Sequence, residues 1–276
     1  MKRIILTLAA VILSAGLISA QDMAQATEKA QNANEALVAK DYAKALEGFK
    51  EALTLAQACG DEGAELVGTC KSVIPSIVLT IAKNEIKDAK YDEGLAQLDE
   101  AIKVAEEYGN DDVIGEAATL IPQVKKQKAL ALYNAKDYAA AAEAYKEILA
   151  GDPEDGASAL RLALALTNTG DKDGSIAAFK QAAEHGQAAN ANKQLANIYL
   201  KDAQQLLKDN AKAIGFYEKY LELSPDAKDA NGIITTIAVL YQQAGNKAKA
   251  IEYYTKVQND PQYGATAKQQ LEALKK

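Results

Sequence analysis

A three-part apolar pattern recurs along this chain: a small residue, a large apolar residue four positions later, and another apolar residue three positions after that. It is clearest at Ala45, Phe49 and Ala52, and it returns at Ala141 and Tyr145. On a helix, residues three and four positions apart lie on one face. We therefore expect each copy to form an amphipathic helix whose apolar stripe packs against a neighbouring helix.

The small residue that begins this stripe returns at a nearly regular interval. Successive steps are 49, 47, 34, 38 and 37 residues. Repeats of this length are typical of solenoids built from helix pairs. Such arrays act through extended surfaces, so the spacing favours a binding function over catalysis in one pocket. The positions concerned are Ala45, Gly94, Ala141, Ser175, Ala213 and Ala250.

A second pattern precedes the first and identifies the partner helix. Leu195-Ala196-x-x-Tyr199 places a small residue between two large ones, as does Ile237-Ala238 with an apolar residue three further on. Together the two patterns resemble the tetratricopeptide repeat, although Ala replaces the consensus Gly and the chain contains no Trp. The resemblance covers residues 26–261. It implies an all-α fold, a right-handed α-solenoid of about six helix pairs in which the first two repeats are lengthened.

The first two repeats carry similar inserts. Leu55–Glu62 parallels Val104–Asp111, and each insert continues to an Ile-Pro step, at Pro75 or at Pro122. A residue before proline is disfavoured in the helical conformation. Each insert is therefore predicted to be either a separate short helix or a kinked extension of the next helix. A matched pair of lengthened edges could also support self-association.

Prolines are expected to mark the boundaries between helix pairs. None of the five prolines is predicted inside a helix. Besides Pro75 and Pro122 there are Pro153, Pro225 and Pro261, and the residues before these three, Asp152, Ser224 and Asp260, are predicted to cap helix N-termini. Residues 261–276 place Leu271 and Leu274 on one helical side. This segment is predicted to be a capping helix over the last exposed face of the stack.

The N-terminal segment differs from the rest of the chain. Lys2 and Arg3 precede an uncharged apolar run from Ile4 to Leu17, and Ser19-Ala20 follows it. This is the layout of a secretory signal peptide, and the run is shorter than the roughly 20 residues of a membrane span. The alternative is an uncleaved anchor. We expect a signal peptide at 1–20, a repeat superhelix at 21–260, and a periplasmic or secreted protein with no integral membrane segment in its mature chain.

The net charge and the distribution of lysines limit the classes of partner that the protein can bind. The net charge is −7 and the Lys residues are spread along the helices. Nucleic-acid binding needs a one-sided basic patch, so it is not expected.

Cys59 and Cys70 are the two cysteines. In an exported protein they can form a disulfide worth roughly 2 to 3 kcal/mol, and the alternative is two buried small hydrophobes.

Residue types needed for catalysis are sparse. His185 is the single histidine and lies at a predicted helix end, where its charge would be favourable. The sequence contains no phosphate-binding Gly-rich loop, no His-Glu-x-x-His and no calcium loop. We therefore predict no enzyme activity, no cofactor and no metal site.

In the family that the chain resembles, the first helices line the inner face of the superhelix. Carried over from the matched Ala positions, this implies an inner face rich in Lys and amide groups, suited to an extended peptide with an acidic side chain or C-terminal carboxylate. Lys193 and Asn197 also resemble part of the family's carboxylate clamp, although Thr236 stands where that clamp has Asn. The predicted peptide-binding residues are Lys83, Lys87, Lys126, Tyr133, Asn134, Asn168, Lys193, Asn197, Lys201 and Gln242.

These features favour an exported scaffold that binds a polypeptide partner or organises an envelope complex. The alternative is a glycan-binding or accessory component of an envelope uptake system. Sugar recognition uses flat aromatic faces, and many of the thirteen Tyr residues occupy positions of the packing pattern. The protein-binding hypothesis is therefore preferred.

The signal-peptide hypothesis predicts a mature N-terminus at Gln21. Mass spectrometry of the protein from the envelope fraction of its native cell tests this. Because cleavage requires a small residue before the cut, Ala20→Tyr should leave the chain uncleaved. Intact Met1 in the soluble periplasmic fraction would refute the hypothesis.

Overall fold

The computed structural model describes residues 17–275, with side chains from Gln21 onwards. The predicted signal peptide at 1–20 therefore lies outside the residues whose side chains are described. Within the described chain the regular elements are thirteen α-helices, one short 3-10 turn and one π-helical turn. The architecture is an all-α solenoid, as the sequence predicts.

Twelve of the helices follow one another as six pairs, and the thirteenth is the predicted C-terminal capping helix. The pairs are α1 (Leu17–Val38) with α2 (Tyr42–Ala58), α3 (Ala64–Lys87) with α4 (Tyr91–Tyr108), α5 (Asp111–Asn134) with α6 (Tyr138–Gly151), α7 (Gly156–Thr169) with α8 (Lys172–Ala182), α9 (Ala188–Gln205) with α10 (Asn210–Leu223), and α11 (Ala230–Gln243) with α12 (Lys247–Val257); the capping helix is α13 (Gly264–Lys275).

The chain divides into two compact units, Met1–Ala131 and Leu132–Lys276. In the first unit, one apolar cluster around Phe49 and Ile74 joins α1, α2 and α3, and a second around Leu98 joins α3, α4 and α5. In the second unit, a cluster around Tyr254 joins α9 to α13. Each helix thus packs mainly on its sequence neighbours.

The small residues of the repeat pattern all lie in the buried interior. Gly94 shows why size matters there. A Cβ added to Gly94 would lie 2.5 Å from Cγ1 of Ile86, in the partner helix of the same pair. Helices approach too closely at this crossing for a larger side chain, so the small residue sets the distance between paired helices.

The turn inside a pair has the same backbone form in five of the six described pairs. One residue adopts a left-handed conformation, with φ near +60° at Lys40 and +85° at Gly170. Two hydrogen bonds close each turn, such as Asp41 N–H to Ala36 carbonyl at 2.8 Å. These are the bonds of a Schellman motif. In four of the five, an Asp or Asn side chain then caps the second helix, as Asp171 does by accepting from Gly174 N–H at 2.9 Å.

Pro75 and Pro122 lie inside α3 and α5, so the prediction that no proline falls within a helix is wrong. The inserts are N-terminal extensions of the following helices. Around Pro75, buried side chains occur on both sides, with Ile74 before it and Ile77 and Val78 after it. A proline inside a helix costs about 3 kcal/mol, whereas each buried aliphatic side chain contributes roughly 1.5 to 3 kcal/mol. Burial along the whole helix therefore outweighs the local cost.

Two of the three predicted proline-associated caps are also wrong. Asp152 and Ser224 lie at the C-terminal ends of α6 and α10, and Asp155 caps α7 by accepting from Ser158 N–H at 3.1 Å. Each helix begins several residues beyond its proline, so a later residue occupies the cap position. Asp260 accepts from Tyr263 N–H at 2.8 Å and so caps the turn that precedes α13.

One described segment, Gly60–Lys87, is long and apolar enough to cross a membrane by length and composition alone. In the structure α3 contacts α2 and α4, and its apolar residues belong to the two clusters of the first unit. Helix α3 therefore serves as a core helix. The absence of a membrane segment from the mature chain stays a prediction.

Enlarging the small residues should destabilise the fold. Ala141 and Ala196 are 0 % and 3 % exposed, so Ala141→Leu and Ala196→Leu should each lower the free energy of unfolding by roughly 1 to 3 kcal/mol through overpacking. Lys103, whose side chain is 78 % exposed, provides the control: Lys103→Ala should change stability by less than about 0.5 kcal/mol. Equal urea midpoints for the three variants would contradict the packing described.

Two glycines with open surroundings should respond to alanine in opposite directions. A Cβ at either Gly68 or Gly170 would meet nothing within 4 Å, but Gly68 is helical and Gly170 has φ of +85°. Gly68→Ala should stabilise by about 0.5 to 1 kcal/mol, because alanine favours the helix. Gly170→Ala should destabilise by about 1 kcal/mol through left-handed strain. Thermal unfolding of both variants measures the difference, and shifts of the same sign would contradict the turn geometry.

Candidate functional site

The ten predicted peptide-binding residues fall in both compact units. Lys83, Lys87 and Lys126 belong to residues 1–131, and the other seven belong to residues 132–276. The two sets are therefore distinct candidate surfaces.

In the first unit, Lys83 and Lys87 lie one turn apart on α3, and both are exposed. The Nζ of Lys83 forms an ion pair with Oε1 of Glu116 on α5 at 2.6 Å. Lys87 lies in the last turn of α3, where a positive charge interacts favourably with the helix dipole. Lys126 is exposed on α5. At Lys83 an acidic ligand would have to compete with Glu116.

In the second unit, α9 carries a polar stripe. Lys193, Asn197 and Lys201 are spaced four residues apart and all three are exposed. At 1.5 Å per residue the stripe is about 12 Å long, which is comparable with three to four residues of extended peptide. These three residues form the α9 stripe, the part of the predicted site that the structure brings together most closely.

Several other predicted site residues are engaged within the fold. The side-chain amide of Gln242 donates to Oε1 of Gln270 at 3.2 Å and its oxygen accepts from the Tyr254 hydroxyl at 3.0 Å. Asn168 donates to the Leu164 carbonyl at 2.8 Å. Such bonds hold these amides in place, so a ligand would have to break them.

The aromatic member of the predicted set packs against a second ring. Tyr133 lies edge-on to Tyr138, with ring centroids 5.2 Å apart, and Asn134 is exposed beside it at the end of α5. Thr236, which stands where a carboxylate clamp would have Asn, donates to the Gly232 carbonyl at 3.0 Å. The third part of that clamp is thus absent from the described chain.

A cavity of about 230 Å³ adjoins the α9 stripe among α7, α8 and α9. The sequence predicted Lys201 as a site residue but missed the rest of the lining. The lining residues are Thr167, Gly170, Lys172, Ser175, Ile198, Lys201, Asp202 and Gln205.

The lining is mainly apolar, and two of its polar residues, Asp202 and Ser175, are themselves buried. Asp202 is 5 % exposed; its Oδ1 is ion-paired with Lys172, and its Oδ2 has no hydrogen-bond partner among the described residues. Ser175 is 1 % exposed and its Oγ lies 2.6 Å from Oγ1 of Thr167. Two sequence signals could have found these two residues: Ser175 stands where most repeats have Ala, and Asp202 lies on the apolar side of α9, three residues after Tyr199.

Cys59 and Cys70 are free thiols in the structure, and a disulfide between them, one of the two alternatives, stays a prediction. Cys70 is buried in the first apolar cluster, where burial raises the pKa of its thiol to about 11. This matches the alternative of a buried small hydrophobe. Cys59 is half-buried and donates to the Leu55 carbonyl at 3.3 Å.

The surroundings of the histidine, of the potential metal ligands and of the tyrosines bear on catalysis, metal binding and sugar binding. His185 lies in the π-helical turn Ala183–Gln187, and a Cβ added to Gly156 would meet its carbonyl oxygen at 1.9 Å. Among the described residues, no group of three or more His, Cys, Asp or Glu side chains is arranged to hold a metal ion. The thirteen Tyr residues are all buried or half-buried.

Comparison with known proteins gives two family matches. The tetratricopeptide repeat matches residues 126–193 and, through a second family model, residues 233–259. No match to the sequence was found among curated proteins.

Solved structures offer weaker likenesses. A crystal structure of MamA is 17% identical over 70% of this chain and 94% of its own, with a TM-score of 0.34. YrrB, described as a TPR protein with an unusual peptide-binding site, is 15% identical over 70% and 91%, with a TM-score of 0.32. PilW, described as a type IV pilus biogenesis factor, is 16% identical over 72% and 98%, with a TM-score of 0.29. At these values the likenesses carry no functional argument.

The helix pairs with small residues at their crossings, the recurrent turn between paired helices and the two family matches agree with one another. The chain contains tetratricopeptide repeats, matched at residues 126–193 and 233–259.

Proposed function

We propose that this protein is an exported interaction scaffold that binds an extended segment of a partner polypeptide along the α9 stripe. The observation that carries the proposal is the exposed line of Lys193, Asn197 and Lys201 on a first helix of the repeat array. In an acidic protein, two lysines on one face favour an acidic segment of the partner.

The chemistry of the stripe suits a peptide. The Asn197 amide carries both a donor and an acceptor, so it can hydrogen-bond a peptide backbone whatever the side chains are. Lys193 and Lys201 can each hold a carboxylate, and a charge-assisted contact is worth roughly 1.5 to 3 kcal/mol where it is partly desolvated. Selectivity would come from the spacing of acidic groups along the partner.

Glycan binding is less well supported. Sugars bind against open aromatic faces, and all thirteen Tyr residues are at least half-buried. Tyr133, the one aromatic residue of the predicted set, packs edge-on against Tyr138. An envelope complex with a protein partner therefore fits the described surface better than an uptake system for sugars.

The proposal predicts that the α9 stripe controls partner binding. A partner is first recovered from envelope extract with the wild-type protein, identified, and purified. Lys193→Ala plus Lys201→Ala should then weaken its binding by at least about tenfold, because two charge-assisted contacts are lost. Raising the salt should also weaken wild-type binding, since charges are screened over about 8 to 10 Å at moderate ionic strength.

A matched control removes the same charge elsewhere. Lys146 and Lys180 are exposed on the second helices α6 and α8. Lys146→Ala plus Lys180→Ala should leave affinity within about twofold. Equal affinities for the two double variants would contradict the proposal. A loss confined to Lys87→Ala plus Lys126→Ala would place binding on the first unit instead.

A further inference from the structure

We propose that the α9 stripe binds a segment in which two acidic residues flank a large apolar residue, with one residue between the apolar side chain and each acid. The charge of the three first helices in the second unit, and two apolar residues beside the stripe, point to this order. The inference rests on the proposed function and adds the order of residue types in the partner.

The first helices of the second unit carry almost no exposed acid. Helices α7, α9 and α11 contain one acidic residue, Asp202, against three basic ones. Asp202 is 5 % exposed and pairs with Lys172 on α8, so its charge is already compensated. The three basic residues, Arg161, Lys193 and Lys201, are exposed. In a chain with 38 acidic and 31 basic residues, these helices are positively charged, and they favour acidic groups in the partner.

One position of the first helices is apolar on both sides of the stripe. It is the residue directly after the small residue of each helix: Leu164 on α7, Asn197 on α9 and Val239 on α11. These helices are neighbours, since α7 and α9 line one cavity and Leu200 of α9 packs on the cluster that contains Ile237 of α11. Equivalent positions of stacked repeats lie side by side, so Leu164 and Val239 flank Asn197.

Packing within the fold leaves both apolar side chains accessible. Val239 is 38 % exposed and is one of three large apolar side chains exposed in the described chain. Leu164 is half-buried. A single exposed apolar residue is ordinary on a soluble protein, but these two lie at one level, on either side of a polar stripe. An apolar side chain placed over Asn197 would cover both of them.

The length of the stripe sets the spacing of the acids. Lys193 and Lys201 are eight residues apart on α9, which is about 12 Å along the helix axis. An extended peptide advances about 3.3 Å per residue, so its residues i and i+4 are about 13 Å apart. Residues i, i+2 and i+4 face the same way, because side chains alternate along an extended chain. Acids at i and i+4 thus reach the two lysines, while residue i+2 lies over Asn197.

Residue i+2 of the bound segment is expected to be large and apolar. A charged side chain there would lose water beside two apolar neighbours without gaining a partner. A leucine would instead bury its own apolar surface together with that of Leu164 and Val239. The peptide backbone on either side can still bond to the Asn197 amide. The partner motif is therefore acidic, any, large apolar, any, acidic.

The test uses synthetic peptides on the ¹⁵N-labelled protein, with backbone amide signals followed by NMR. The centred peptide is acetyl-Ser-Glu-Ser-Leu-Ser-Glu-Ser-amide, and we expect it to cause saturable shifts in residues 160–164, 193–201 and 235–243. The shifted peptide, acetyl-Ser-Glu-Leu-Ser-Ser-Glu-Ser-amide, has the same composition but turns its leucine to the opposite side of the extended chain. It should bind about fivefold more weakly. Replacing both glutamates of the centred peptide with glutamine should remove saturable binding.

Variants of one exposed side chain separate apolar recognition from folding. Val239→Ser should weaken the centred peptide about threefold and leave the shifted peptide unchanged, whereas Val239→Ile should bind both like the wild type. Leu207→Ser is the matched control, because Leu207 is 47 % exposed in the turn between α9 and α10, outside the stripe. It should change neither affinity. Thermal unfolding of each variant verifies that the fold is kept.

Equal affinities of the centred and shifted peptides, or no saturable binding of the centred one, would overturn the inference. If a recovered partner depends on Lys193 and Lys201 while the two peptides bind equally, the central apolar residue is wrong and the proposed scaffold function stands. If the centred peptide binds better but no partner depends on the stripe, the proposed function fails while the motif stands. A wild-type dimer that Lys193→Ala plus Lys201→Ala makes monomeric in light scattering would assign the stripe to a second copy of the chain, and would also overturn the inference.

Discussion

The close contact between paired helices at one small residue is the constraint on which the rest of the structure depends. At Gly94 the approach of Ile86 leaves no room for a Cβ, and the equivalent alanines are fully buried. Because interiors are close-packed, this single distance fixes how the apolar stripes of both helices meet. It also fixes which side of each first helix faces solvent. The exposed α9 stripe is thus a consequence of the buried crossing beneath it.

The sequence predicts the fold correctly where its apolar pattern is periodic. The prediction fails where a rule about local sequence conflicts with packing between helices. Six pairs and a capping helix follow from spacing alone. Pro75 illustrates the failure: the rule that proline ends a helix concerns local sequence, whereas Ile74, Ile77 and Val78 are buried against neighbouring helices. The cap at Asp155 was missed for a related reason, since both Asp152 and Asp155 carry a suitable side chain and only the actual start of α7 distinguishes them.

The candidate site is likewise predicted from the sequence only in part. Exposure of Lys193, Asn197 and Lys201 follows from helical register, so the sequence predicts it. Pairing between repeats does not follow from register. Gln242 bonds to a residue 28 positions away and Lys172 pairs with one 30 positions away, and neither contact has a periodic signature. Hydrogen bonding engages Gln242 within the fold, and an ion pair with Lys172 accompanies the burial of Asp202.

The recurrent turn inside the pairs has a consequence for how the chain folds. Its hydrogen bonds join residues three to five positions apart, and its cap joins residues three apart. Each helical hairpin can therefore close before distant parts of the chain have met, with a small entropic cost of loop closure. Chains rich in local contacts have low contact order and fold quickly. A solenoid of this kind can begin to fold at any of its hairpins and add neighbours one at a time.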